Sequence, residues 1–178
     1  MQTVKMVITG PFSAGKTEFI RSISEIDVVS TERKISSEAE RVKEATTVAM
    51  DFGRITVDAD LVLYLFGTPG QRRFDFMWEI LSEGMLGFIV LIDSVRSETF
   101  REAKHILEMF RTYAPTPYVV AANKQDLPDA WSPDDLRIAL KIDSNIKVPP
   151  CVATDKEYVK GVLLELLGSI LEGMEGEA

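Results

Sequence analysis

The sequence predicts an α/β fold: a mostly parallel sheet of about six strands, helices on both faces, and one antiparallel hairpin at an edge. Three observations carry this. Apolar runs of strand length at 4–9, 61–66, 88–92 and 118–122 alternate with stretches of helical period. A Gly-rich segment, GPFSAGKT (10–17), separates the first strand from the first helix. Polar motifs follow the strands at their C-terminal ends, where open α/β sheets build ligand sites.

The elements follow in order. Residues 16–23 are spaced for a helix that continues the Gly-rich turn. The stretch 25–46 is polar and charged, with Val28, Val29 and Ile35 its few apolar positions, and reads as a long mobile loop. Runs 48–57 and 61–66 are separated by Asp58, Ala59 and Asp60, too short a link for a helical crossover, so they form a hairpin. Phe74, Met77, Trp78 and Leu81 share one helix face, as do Phe100, Ala103, Leu107 and Phe110. A final helix carries Val159, Val162, Leu163, Leu166 and Ile170 toward the core.

The 178 residues, 46% of them apolar, suit a single domain spanning 1–178. A formal net charge of −8 argues against nucleic acid as a partner, since a phosphate backbone calls for basic stripes. The lone Cys151 has no cysteine to pair with and reads as a buried, inert thiol. His105 stands alone on a helix, expected to be exposed and without a task. With Gln at position 2, no signal peptide, no prenylation cysteine and no membrane-length apolar run, the expected location is the cytoplasm. Membrane recruitment would come through a partner.

GPFSAGKT has the spacing G-x-x-x-x-G-K-[ST], in which backbone N–H groups curl around phosphates and the next helix directs its positive end at them. Gly10, Ser13, Ala14 and Gly15 form the loop, and Lys16, Thr17 and Glu18 the first helical turn. Lys16 would reach the β- and γ-phosphates, and the Thr17 hydroxyl would hold Mg²⁺. NKQD (123–126) then selects the base. A carboxylate at Asp126 accepts from the N1–H and 2-amino group of guanine, whereas adenine would leave it desolvated and unpaired. Lys124 would lie along the base, and Asn123 would tie this loop to the Gly-rich one.

In these motifs the chain resembles the Ras-like small GTPases over nearly its whole length, which implies a three-layer P-loop G domain. Phe12 stands where Ras has glycine, and the loop looks more like the Arf branch. TPGQ, TTVAMDFGR and VATDK are similar to the prokaryotic MglA-type GTPases. The resemblance implies that the Ala153 N–H, beside Thr154, contacts the guanine O6. It implies that Thr47, favoured over Thr46, binds Mg²⁺ and senses the γ-phosphate. Gly70 would donate its N–H to that phosphate, and Gln71, able to donate and accept, would orient the attacking water.

One departure stands out: Gly67 occupies the place of the family's Mg²⁺-supporting aspartate. Asp51, four residues beyond Thr47, is the candidate replacement, against the alternative of an ordinary polar residue at the sheet edge. Arg33, Arg41, Arg54, Arg72 and Arg73 lie near the mobile segments as candidates for stabilising transition-state charge. Without a positioned arginine, hydrolysis would run on the order of 10⁻⁴ to 10⁻² s⁻¹. Asp93 and Ser94 read as the start of a loop.

The leading reading is a regulatory GTPase that binds GTP, GDP and Mg²⁺ and answers to an activator or exchange factor. The resemblance suggests a Roadblock-type dimer as partner. A guanine-nucleotide scaffold with negligible turnover is the alternative. A small-molecule kinase is disfavoured by NKQD.

Overall fold

The computed structural model describes residues 1–30, 50–69 and 75–177. Along the chain run β1 (Gln2–Thr9), α1 (Lys16–Ile23), β2 (Val29–Ser30), β3 (Asp51–Asp58), β4 (Leu61–Gly67), α2 (Phe76–Ser82) and β5 (Gly87–Asp93). A short 3₁₀ turn (Ser97–Thr99), α3 (Phe100–Tyr113), β6 (Tyr118–Asn123), α4 (Pro133–Ala139) and α5 (Lys156–Gly176) complete it. The six strands form one sheet in the order β2-β3-β4-β1-β5-β6.

β4, β1, β5 and β6 are parallel, so their C-terminal ends meet along one rim. β3 runs antiparallel to β4, as the short link demands, with a register shift between Thr56 and Asp58. The Asp58 carboxylate accepts the Asp60 N–H at 2.8 Å and closes the turn. The polar stretch is not loop throughout: Val29 and Ser30 pair antiparallel with Phe52 and Asp51. Two residues are too few to show alternation, which is why sequence pattern passes over them. Residues 31–49 lie outside the described residues.

Successive side chains of a strand point to opposite faces, and here both faces are apolar because both are covered. Ile89 and Leu91 of β5 pack with Phe19, Ile20, Val159, Val162 and Leu166 of α1 and α5. Phe88, Val90 and Ile92 pack with Trp78, Ala103, Ile106, Phe110 and Leu136 of α2, α3 and α4. Each such large side chain contributes about 1.5–3 kcal/mol when removed from water. The five expected apolar positions of α5 are all buried. α2 begins at Phe76 and buries Trp78 and Leu81, while Phe74 lies outside the described residues.

The helix α4 adds an element that periodicity alone does not flag, since Leu136 is its one buried side chain. Its signal is the cap. Ser132 accepts the Asp135 N–H at 3.2 Å, Pro133 opens the first turn, and Asp134 and Asp135 sit at the positive helix end. Beside β6 the segment before Cys151 forms no full strand and makes a single bridge, Ala122 to Pro150. Val120 and Ala122 donate to the Lys147 and Pro149 carbonyls, and Cys151 returns a bond to Ala122. Pro149 and Pro150 have no N–H, so the ladder cannot continue. Among the described residues no helix is long and apolar enough to cross a membrane.

Candidate functional site

The loop after β1 takes a path that few residues could follow. Gly10 has φ 146°, and a Cβ there would stand 2.4 Å from the Leu91 carbonyl oxygen of β5. Gly15 has φ 105°, and its Cβ would meet the Asn123 amide nitrogen at 2.4 Å. Between them Ser13 adopts φ 64° and the Ala14 N–H closes on the Pro11 carbonyl at 3.1 Å. Gly15 caps α1 without a side-chain acceptor, so the first N–H groups of the helix are left to an outside anion.

Lys16 is buried inside this loop, its Nζ donating to the carbonyls of Gly10 and Pro11 at 2.8 Å each. Burial pulls its pKa down from the usual lysine value to about 8, and the charges of Asp51 and Glu102 oppose that pull. It remains an ammonium at neutral pH. The neighbouring Thr17 hydroxyl donates to the Asp51 Oδ2. Asp51 in turn stands directly opposite Gly67 in the β3–β4 ladder.

NKQD follows β6 and is clamped to the loop twice. Asn123, buried, donates through Nδ2 to the Ala14 carbonyl at 2.8 Å and accepts the Ala153 N–H on Oδ1 at 2.9 Å. Lys124, at φ 66°, donates to the Asp93 carboxylate at 2.7 Å and to the Ser13 carbonyl at 3.4 Å. Gln125 donates to Ser94 Oγ at 3.1 Å and to the Trp131 carbonyl at 2.8 Å. Asp126 alone of the four points into the open: it is exposed and lines a cavity of about 230 Å³ with Gly15, Glu18, Lys124 and Thr154. Pockets that enclose a whole ligand run to roughly 300–1,000 Å³, so this one holds one end of a ligand. Its lining is apolar apart from a few polar groups, as a flat aromatic base requires.

Several expectations are thereby located. Gly10, Ser13, Ala14, Gly15, Lys16, Thr17, Glu18, Asn123, Lys124, Asp126, Ala153 and Thr154 come together along the sheet rim, with Asp51 at its β3 side. Ala153 differs in detail: its N–H is engaged by Asn123 rather than facing the cavity, because the Asn side chain fills the gap between the loops. Thr46, Thr47, Gly70 and Gln71 lie outside the described residues, as do Arg33, Arg41, Arg72 and Arg73. Arg54 is part-buried in β3, and its Nε has no hydrogen-bond partner among the described residues.

Other readings change. Asp93 is 1% exposed and binds Lys124, with Arg96 at 3.8 Å, so it belongs to the site rather than opening a loop. In the sequence its one mark is a carboxylate ending an otherwise apolar run, which does not show what it meets. His105 is half-buried beside Trp78, ring centroids 6.3 Å apart, where exposure was expected. Cys151 is buried, and burial pushes its thiol up to about 12, which leaves it inert.

Comparison with known proteins bears on the family. The family described as "Conserved hypothetical ATP binding protein" matches residues 26–172, a span that begins after GPFSAGKT and so is independent of it. Protein MJ1339 of Methanocaldococcus jannaschii is 31% identical over 126 residues, covering 71% of this chain and 73% of its own. ADP-ribosylation factor-like protein 14 of Mus musculus is 28% identical over 67% of each chain. The mutual gliding-motility protein MglA of Myxococcus xanthus is 27% identical over 76% of this chain and 74% of its own. The chain belongs to the "Conserved hypothetical ATP binding protein" family and to the Ras-like small GTPases.

Proposed function

We propose that this protein is a guanine-nucleotide switch that binds GTP and GDP with Mg²⁺ and hydrolyses GTP to GDP and phosphate. One observation carries the choice of base: the Asp126 carboxylate is exposed and lines the cavity while the rest of NKQD is tied down. Guanine offers it two donors, N1–H and the 2-amino group. Adenine presents an acceptor at N1 and no donor at C2, so it would strand a desolvated carboxylate at a cost of several kcal/mol. The family's description names ATP, and the chemistry of Asp126 favours GTP.

The Gly10–Thr17 loop and the open end of α1 would receive the phosphates, with Lys16 charge at the β–γ bridge. The hydroxyl of Thr17 and its carboxylate partner form an oxygen donor set of the kind Mg²⁺ takes. When bound, Mg²⁺ supplies positive charge to the β- and γ-phosphate oxygens. Thr47 and Gly70 would report the γ-phosphate, and Gln71 would align water for attack on it. Hydrolysis is slow until a partner supplies an arginine. Ordering of Thr47 and the TPGQ segment by GTP, and their release on hydrolysis, is the output that a partner protein reads.

The test is to denature the purified protein and identify the nucleotide released, then measure binding of GTP, GDP and ATP and single-turnover hydrolysis with and without candidate partners. Guanine nucleotide in preference to adenine is expected. Preference for ATP would overturn the assignment, and GTP binding without turnover under any condition would leave a scaffold.

A further inference from the structure

We infer that the outward face of α5 pairs with the same face of a second copy of this chain, the two helices running antiparallel. The inference stands apart from the nucleotide reading.

α5 turns Val159, Val162, Leu163, Leu166 and Ile170 to the core. At about 3.6 residues per turn the opposite side carries Gly161, Leu164, Gly168 and Leu171 in one stripe. Leu164 and Leu171 are each 60% exposed, and Met174 at the end of the stripe is 61% exposed. Single apolar residues on a surface are ordinary, but these leucines lie two helical turns apart with only a glycine between them along the stripe.

The glycines say how closely the face is approached. Glycine is the poorest helix former after proline, yet a Cβ at Gly161 or Gly168 would meet nothing within 4 Å. Among the described residues, therefore, no neighbour requires either glycine. A second backbone at close range does.

The alternation names the occupant. Toward the C-terminus the stripe reads small, large, small, large, and in reverse it reads large, small, large, small. Two copies laid antiparallel about a two-fold axis set Leu164 over the partner's Gly168 and Leu171 over the partner's Gly161, so every knob meets a gap. A parallel pair would stack leucine on leucine and leave glycine facing glycine. A foreign helix with basic flanks has less to grip. Lys147 already lies between Glu165 and Glu172 on one flank, at 3.2 and 4.0 Å, and Lys160 stands exposed on the other. The same compensation lets two copies of an acidic chain approach. Since α5 starts just past Ala153 and Thr154, antiparallel pairing sets the two sheet rims at opposite ends of the dimer and leaves both open.

One helix against one helix is at the small end of specific interfaces, so a Kd on the order of 10 µM is expected. Sedimentation equilibrium of the full chain from about 5 to 300 µM, in about 0.3 M salt to screen the −8 charge of each copy, reads the association. Leu164→Lys should weaken it by about tenfold or more. The double variant Gly161→Gln with Gly168→Gln has room in the monomer and gains helix propensity. Its thermal midpoint should hold or rise while association falls by about tenfold or more, a split that a purely structural role for the glycines would not give. A spin label attached through Lys156→Cys, with Cys151 buried and inert, should lie roughly 30 Å from its copy, twice the rise of about ten residues to the axis. A chain that stays monomeric at the highest concentration overturns the proposal and leaves the face to a different protein. So does a dimer untouched by the Leu164 and glycine variants, or a label separation under about 15 Å, which a parallel pair would give.

Discussion

Asn123 and Ala14 lie 109 positions apart in sequence and are joined by a 2.8 Å hydrogen bond from the side-chain amide to the carbonyl. The amide oxygen of the same side chain accepts the Ala153 N–H, so one buried side chain holds three loops at the rim of the sheet. Asn123→Ala strands a buried donor and a buried acceptor. It should destabilise the nucleotide-free protein by about 2–4 kcal/mol in chemical denaturation.

Asp126→Asn tests the base. Asparagine keeps one acceptor but offers an N–H where guanine also donates, so GTP affinity should fall by about 10²–10⁴-fold, the worth of two hydrogen bonds to a charged group. Xanthine carries a carbonyl at C2 in place of the amino group, and xanthosine triphosphate should bind the variant better than GTP does. Equal loss for both nucleotides would place Asp126 outside the base contact.

Lys16 sets a pH dependence. Below about pH 8 it is protonated in folded and unfolded chains alike, and folding bears the full cost of burying the charge. Between about 8 and the usual lysine value of 10.5 the unfolded chain binds more protons, so stability rises with pH through that window and levels off above it. The difference in stability between wild type and Lys16→Met should trace this rise in nucleotide-free protein. GTP affinity should move the opposite way, weakening by about tenfold per pH unit above 8 as the ammonium is lost.

Asp93 positions Lys124, whose left-handed backbone needs an outside hold. Asp93→Asn keeps the Val95 N–H bond and removes the charge. GDP affinity should drop by about 5–30-fold, or 1–2 kcal/mol, while inorganic tripolyphosphate binds as before. The Lys124→Met variant should show the same loss, and combining the two should cost little more.

The parallel strands and the two polar motifs were legible because each is contiguous: GPFSAGKT and NKQD carry their chemistry in a few consecutive residues. Asp93 was not, since its role depends on β5 and β6 lying in register so that Asp93 meets the start of NKQD. Asp51 was legible as a nearby carboxylate, but its standing opposite Gly67 is a fact of strand pairing that spacing cannot give. β2 escaped for want of length. The α4 helix was written in its Ser-Pro-Asp-Asp start and missed by a reading of apolar stripes. The engagement of the Ala153 N–H by Asn123 depends on backbone direction, on which residue type is silent.

Pro149 and Pro150, which hold the segment beside β6 to a single bridge, also govern how this molecule meets its own copies. An extended edge with a run of free donors is a template for a neighbour's strand. Beside β6 that run is broken by two residues with no N–H, and the opposite rim, among the described residues, is the two-residue β2. Beside β6 the sheet therefore ends in a segment that a second sheet cannot extend by regular strand pairing, which guards that edge of a chain rich in apolar strands against polymerising.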